Sequence, residues 1–365
     1  MTQTDDIELV RGLVEIPSIS RDEGEAVEWL VARMAERGFR ATVDDAGNAV
    51  GEIGEGPIHV VLLGHIDTVR GEIPVRIEDG DLVGRGAVDA KGPLAAFVAA
   101  ATRKIPGVRV TVVGAVEEES PTSAGARHRA RLAAPDWCVI GEPSAWDAVT
   151  VAYKGRLALR VLLAREARHG AAPGPTCTEE ALGLWEAIRA AADRRTPGAD
   201  GFARLDCRLE AIQGGESDGL VERAELRVGF RIPPGIATAD LADEVSALAR
   251  GHGGDSRVTV ETIGSEEPAR TPRSTPLARA FVVAIANAGG RATFKVKSGT
   301  SDMNILAPAW GCPMVAYGPG DSRYDHTPIE RLVLDDYVRA ITVLEGVLRR
   351  AGAGVPVERS VNPRI

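Results

Sequence analysis

His59-Val60-Val61-Leu62-Leu63-Gly64-His65-Ile66-Asp67 is an apolar run that ends on a histidine and an aspartate. Short apolar runs bounded by glycine read as strands buried on both faces, as in a parallel sheet. Further runs share this design. Val108 to Val116 leads into Glu117-Glu118-Glu119, and Trp137-Cys138-Val139-Ile140-Gly141 leads into Glu142. Pro313 to Tyr317 leads through Gly318-Pro319-Gly320 toward His326. In open α/β sheets, ligands gather beyond the carboxyl ends of such strands. Asp89, in Gly84-Arg85-Gly86-Ala87-Val88-Asp89-Ala90-Lys91-Gly92, adds an oxygen donor in a glycine-punctuated loop. Two histidines and several carboxylates at one sheet edge suit a pair of zinc-like cations.

At 365 residues the chain exceeds a comfortable single core, so two domains are expected. Helical spacing opens the chain over residues 5–38, interrupted at Pro17, with Ser20 and Glu23 placed to form a capping box. From residue 40 to about 153, strands alternate with helical stretches, and the same alternation returns after 264. That is the doubly wound, mostly parallel α/β pattern. Between them the order becomes strand, long helix, strand, strand, helix, strand, which reads as an inserted α+β sandwich. The expected division is a discontinuous α/β domain, 1–154 with 264–365, and an insert over 155–263. The tail from Ala351 to Ile365 lacks periodicity and is expected to be loosely held.

Bulk properties narrow the classes. A net charge of -9 argues against nucleic acid as the main partner. No stretch approaches the roughly 18 apolar residues of a membrane span. The opening Met1-Thr2-Gln3-Thr4-Asp5-Asp6 is acidic where a signal peptide is basic. Cys138, Cys177, Cys207 and Cys312 are far apart and form no Cys-x-x-Cys pair, as expected of reduced thiols in a cytoplasmic protein.

Each candidate has a chemical rationale and a plainer alternative. His65 and Asp67 share a strand face because side chains repeat every two residues. One can bind a metal while the other supports it, a carboxylate on the far ring nitrogen fixing the tautomer. Alone, His65 is a sheet-edge histidine and Asp89 a turn former. The Asp89 carboxylate could bridge two cations about 3.5–4 Å apart. Three consecutive glutamates are costly together without cations or water. One Glu as ligand beside one as general base is an economical division, whereas an isolated acidic triplet is an ordinary solvated turn. Glu142 and His326 offer one more oxygen and one more nitrogen; singly they are a turn carboxylate and a loop histidine.

Together, Gly64-His65-Ile66-Asp67-Thr68-Val69, the Gly84–Gly92 loop, Glu118-Glu119, Gly141-Glu142-Pro143-Ser144 and His326-Thr327-Pro328 resemble the dinuclear zinc amidohydrolases. That family includes acetylornithine deacetylase and succinyl-diaminopimelate desuccinylase. The resemblance spans about residues 5 to 350. It implies two zinc ions per subunit, with cobalt as a substitute. His65, Asp89 and Glu142 would hold one zinc, and Asp89, Glu119 and His326 the other. Asp67 would support His65, and Glu118 would be the general base. The family shows a Glu-Glu pair where this chain has three, so Glu117 and Glu118 filling those roles is the competing register. Arg168-His169-Gly170-Ala171-Ala172-Pro173 is similar to the segment of the family's lid and dimerisation domain whose histidine reaches across a homodimer to polarise the substrate carbonyl. Lys297-Ser298-Gly299-Thr300-Ser301-Asp302 resembles its substrate-end loop, which implicates Thr300, Ser301 and Asp302.

A narrower resemblance concerns substrate. The Val88–Phe97 segment, Gly125-Ala126-Arg127-His128, Tyr153-Lys154-Gly155-Arg156-Leu157, Thr300 to Asn304 and Tyr317 to Ser322 look like the lysine/ornithine hydrolases of the amino-group carrier protein pathway. These release lysine or ornithine from the carboxyl-terminal Glu of a small, very acidic carrier protein. Such a partner needs basic docking surface, for which Arg156, Arg160, Arg165, Arg168, Arg194, Arg195, Arg204 and Arg208 are candidates. A small-molecule deacylase such as acetylornithine deacetylase would keep the same metal site. So would a hydrolase of another carrier-linked diamino acid.

Overall fold

The computed structural model describes residues 2–103, 105–252 and 254–354. They form two compact units. One comprises Met1–Ala152, Thr271–Val296 and Ser301–Ile365; the other comprises Tyr153–Arg270 and Lys297–Thr300.

In the first unit, parallel strands lie side by side in the order Val108–Ala115, Ile58–His65, Trp137–Gly141, Met314–Ala316. Antiparallel strands Ala49–Ile53 and Arg40–Val43 extend one edge, and Ala148–Tyr153 joins beside Met314–Ala316. From Ile58–His65 the chain moves to one side, then crosses back to place Trp137–Gly141 on the other. Such a reversal opens a crevice at the strand's carboxyl end, and His65 stands there. The helix Lys91–Ala101 that makes the first crossover is buried at every residue, as expected of a helix apolar on all sides. It packs against the helices Gln3–Glu15 and Leu334–Gly352.

The three strand ends are level: Gly64 pairs with both Gly114 and Gly141. A methyl on Gly141 would lie 2.8 Å from the Gly64 Cα and 2.9 Å from the Phe97 ring; one on Gly64 would lie 3.3 Å from Leu94. The glycine row therefore lets the buried helix sit directly on the sheet.

Some local expectations change. The helix Gly24–Glu36 has Glu23 as its N-cap and no side-chain cap bond, so the Ser20–Glu23 capping box does not form. Ser20 is drawn instead to the buried Asp67 carboxylate, and the Glu23 side chain to the backbone N–H groups of Arg21 and Glu117. Arg76–Glu78, Asp81–Val83 and Arg331–Val333 make a small antiparallel sheet that sequence periodicity does not announce. The first residues of the expected tail belong to the helix Leu334–Gly352, and 355–365 lie outside the described residues.

The second unit is a four-stranded antiparallel sheet in the order Asp206–Ser217, Val221–Ile232, Gly155–Glu166, Arg257–Glu266. Leu157, Leu159, Val161 and Leu163 alternate onto one face, with Leu226, Val228 and Phe230 beside them. The helices Cys177–Arg195 and Thr238–His252 cover that face. Burial of each such aliphatic side chain contributes roughly 1.5–3 kcal/mol. Arg165 also points to the helix side. It is 5% exposed and ion-paired with Glu180 and Glu222 at 2.9 Å each. The strand's alternation thus removes it from the arginines available for docking.

Candidate metal centre

His65, Asp89, Glu118, Glu119, Glu142 and His326 come together beyond the parallel strand ends. They form overlapping donor groups: His65 with Asp89 and Glu142; His65 with Glu118 and Glu119; Asp89 with Glu119 and His326. Within each group the donor atoms lie within 4.8 Å of one another. Asp89 belongs to two groups and reaches both histidines. Its Oδ1 lies 3.1 Å from His65 Nε2, and its Oδ2 lies 3.1 Å from His326 Nε2. Glu119 Oε1 is 2.7 Å from the same His326 nitrogen. Glu117 is in none of these groups among the described residues. Its carboxylate accepts from Thr122 and lies 3.7 Å from Arg21.

Backbone geometry explains this division of the triplet. The strand ends at Ala115, and Glu117 takes a left-handed conformation (φ 61°). The chain then turns onto Asp67, whose two carboxylate oxygens accept the backbone N–H groups of Glu118 and Glu119, each at 3.0 Å. Ser20 Oγ donates to the same carboxylate at 2.7 Å. With those donors engaged, Asp67 meets the far nitrogen of His65 differently from the sequence expectation. His65 Nδ1 is 2.9 Å from the Asp67 backbone carbonyl and 3.6 Å from its carboxylate. Either contact sets the ring to present Nε2 to Asp89.

The remaining expected residues divide between the units. Ser301 and Asp302 lie in the first. The Ser301 hydroxyl accepts from Met303 N at 3.2 Å, a turn-forming bond at the head of the helix Met303–Trp310. Asp302 is 2% exposed, and its Oδ1 has no hydrogen-bond partner among the described residues. Thr300 and His169 lie in the second unit. Arg231 Nη1 is 3.5 Å from the Thr300 hydroxyl. His169 is exposed, its Nδ1 accepting from Ala171 N at 3.2 Å.

The pattern of Peptidase family M20/M25/M40 matches residues 61–350. The chain belongs to that family. It is accordingly a metal-dependent amide hydrolase. The LysW-lysine hydrolase of Deinococcus radiodurans is 44% identical over 97% of this chain and 100% of its own length. A Thermococcus kodakarensis protein named as a putative LysW-lysine/LysW-ornithine hydrolase is 39% identical, covering 94% of this chain and 91% of its own. The fold is that of an M20 family metallo-carboxypeptidase from Sulfolobus solfataricus, with a TM-score of 0.76 at 17% identity over 96% and 99% of the two chains.

Electrostatics in this M20 chain fit a cation site. Burial would lower His65, yet the Asp67 and Asp89 carboxylates outweigh it and hold the imidazole well above its ordinary value. Hydrogen bonds to Asp89 and Glu119 raise His326 to about 10. Burial pushes Glu118 well above the carboxylate range; the His65 charge opposes this, and Glu142, Asp302 and Glu119 reinforce it. Burial likewise lifts Asp302 to about 7. So many acids packed together are tolerable only when protons or cations neutralise them. A nitrogen and oxygen donor set without thiolate suits zinc, cobalt or manganese.

Supporting residues escaped the sequence reading. Glu23 accepts the backbone N–H groups of Arg21 and Glu117, at 2.8 and 3.1 Å. Asn48, fully buried, accepts from Val116 N at 3.0 Å. Glu23 carried only a local capping signal, and Asn48 none beyond a polar residue between Gly47 and Ala49.

Proposed function

We propose that the protein is a two-zinc hydrolase that releases lysine or ornithine from the terminal Glu of an acidic amino-group carrier protein. The observation that carries this reading is the 44% identity, end to end, with a LysW-lysine hydrolase. The clustered donors supply the chemistry. His65, Asp89 and Glu142 would hold one ion, and Asp89, Glu119 and His326 the second, with Asp89 between them. When bound, such ions lower the pKa of a water toward about 7 and polarise the scissile carbonyl.

The chain's own part is proton movement and orientation. Glu118 lies within the donor cluster yet is absent from both proposed ion sites, which suits a general base. Its carboxylate takes the proton of the attacking water and delivers it to the departing amine, the usual economy of a single acid–base group. Asp67 fixes Glu118 through the backbone bond at 3.0 Å. Glu117, tied to Thr122, fits that role poorly, which favours the Glu118–Glu119 register. His169 would steady the developing oxyanion from the partner subunit of a homodimer, a donor effect worth about 3–4 kcal/mol. Asp302, with Thr300 and Ser301, would meet the amino-acid end of the substrate. A cytoplasmic setting accords with free thiols at Cys138, Cys177, Cys207 and Cys312.

The test is mass spectrometry of purified, zinc-loaded protein offered carrier capped with lysine, carrier capped with ornithine, and free acetylornithine. Loss of one amino-acid mass from carrier, abolished by chelator, supports the reading and selects the amino acid. Cleavage of acetylornithine alone overturns it in favour of a small-molecule deacylase. For the cross-subunit role, mixing inactive His169→Ala and Glu118→Gln proteins under exchanging conditions should restore activity through hybrid dimers.

A further inference from the structure

Glu330 lies four residues after His326 and is 1% exposed. Its carboxylate reaches the other side of the metal centre. Oε1 accepts the backbone N–H groups of Val88 and Asp89, at 3.0 and 3.1 Å. Oε2 accepts from Arg85 Nη1 at 2.8 Å. The Glu330 carbonyl accepts from Gly84 N at 3.3 Å, so the same residue holds both ends of the loop that presents Asp89. Arg85 is fixed in turn by its Nε bond to Gly71 O, at 2.9 Å.

Asp89 has a demanding task, since its two oxygens must face opposite ways, toward His65 and toward His326. Ala87, Val88 and Ala90 in this loop are buried in the core, which anchors it but leaves the backbone N–H groups of Val88 and Asp89 in need of an acceptor. A buried carboxylate on those adjacent N–H groups supplies what the apolar side chains cannot. It also links the backbone of Asp89 to the segment bearing His326.

We propose that Glu330 is a positioning residue for the metal centre, setting the orientation of Asp89 and its register with His326. The inference rests on Asp89 being a metal ligand, and the experiment separates the two claims. Metal affinity is measured by competition with a chromophoric chelator for wild type, Asp89→Ala, Glu330→Gln, Arg85→Met and Glu345→Gln, with each metal-free unfolding midpoint recorded. Glu345 pairs with Arg103 at 2.9 Å, away from these loops, and reports the cost of an ordinary ion pair.

Glu330→Gln keeps the volume but loses the charge shared between the loop N–H groups and Arg85. It should weaken metal binding roughly 10–100-fold, the usual effect of losing a group that orients a ligand. Glu345→Gln should leave affinity unchanged while shifting the midpoint. Arg85→Met should fall between, because the N–H groups of Val88 and Asp89 keep their acceptor. For turnover, Glu330→Gln at saturating metal should lower kcat with little change in KM. Wild-type affinity in Glu330→Gln, alongside lost affinity in Asp89→Ala, overturns the positioning role. Wild-type affinity in Asp89→Ala overturns the ligand assignment beneath it. Should Glu330→Gln fail to fold, Glu330→Asp in zinc-supplemented medium supplies the comparison. Its shorter reach should weaken affinity as well, and unaltered affinity there overturns the role.

Discussion

At the carboxyl ends of the parallel strands, His65 and Asp67 are 2% and 0% exposed, with further acids crowded against them. On the face of the second unit's sheet away from its helices, Arg160 is 44% exposed and shares its charge with Glu225 and Glu261. One region gathers unlike and like charges into a desolvated cluster; the other distributes them as solvated pairs. Surface pairs of the second kind stabilise little. A cluster of the first kind persists only with something to neutralise it, so buried crowding is the better mark of chemistry than the number of charges.

Chelation is the largest way to break the contrast. Removing metal should abolish turnover, and it should lower the unfolding midpoint because a ligand at 100 times its Kd stabilises by about 2.7 kcal/mol. Scanning calorimetry with and without chelator checks this. Next, Glu118→Gln should cost roughly 100- to 10,000-fold in kcat, with metal content unchanged by atomic absorption. An active variant would move the base elsewhere in the cluster.

A pH series sharpens the same point. His326 in the metal-free protein is raised to about 10, so it keeps a proton that an incoming cation must displace. Metal affinity should therefore climb as pH rises toward 10, with proton release measurable in weak buffer. Affinity flat from pH 6 to 9 would remove His326 from the ligand set. Ser20→Ala removes a hydrogen bond to a buried carboxylate, worth about 1.5–3 kcal/mol, and should lower both the midpoint and kcat modestly. Last and smallest, Arg160→Ala should leave the unfolding midpoint unmoved within error.

The strand ends were legible because burial on both faces writes itself into sequence as an unbroken apolar run. His65 and Glu142 follow such runs directly, and Glu119 closes the acidic triplet that follows another. Asp89 was marked by flanking glycines. Ser20 was misread, since a serine three residues before a glutamate satisfies a local capping rule whether or not a distant carboxylate takes its hydroxyl. The sheet joining Asp81–Val83 to Arg331–Val333 pairs segments about 250 residues apart, which no local period encodes. The second unit also takes in Lys297–Thr300. The boundary between the units therefore falls between Thr300 and Ser301, within what continuous sequence suggested as one loop.

Gly64, Gly114 and Gly141 stand abreast beneath this centre, and hydrogen atoms alone set the clearance between sheet and helix. The helix begins two residues after Asp89. A single methyl in that row would press on Leu94 or Phe97 of the helix, on Leu30, or on the neighbouring strand, and the floor beneath the shared carboxylate would have to give. The row is consequently a poor place for an engineer, or for drift, to introduce variety. Substrate range can widen at the loops, but the gauge of the metal centre is cut into the floor.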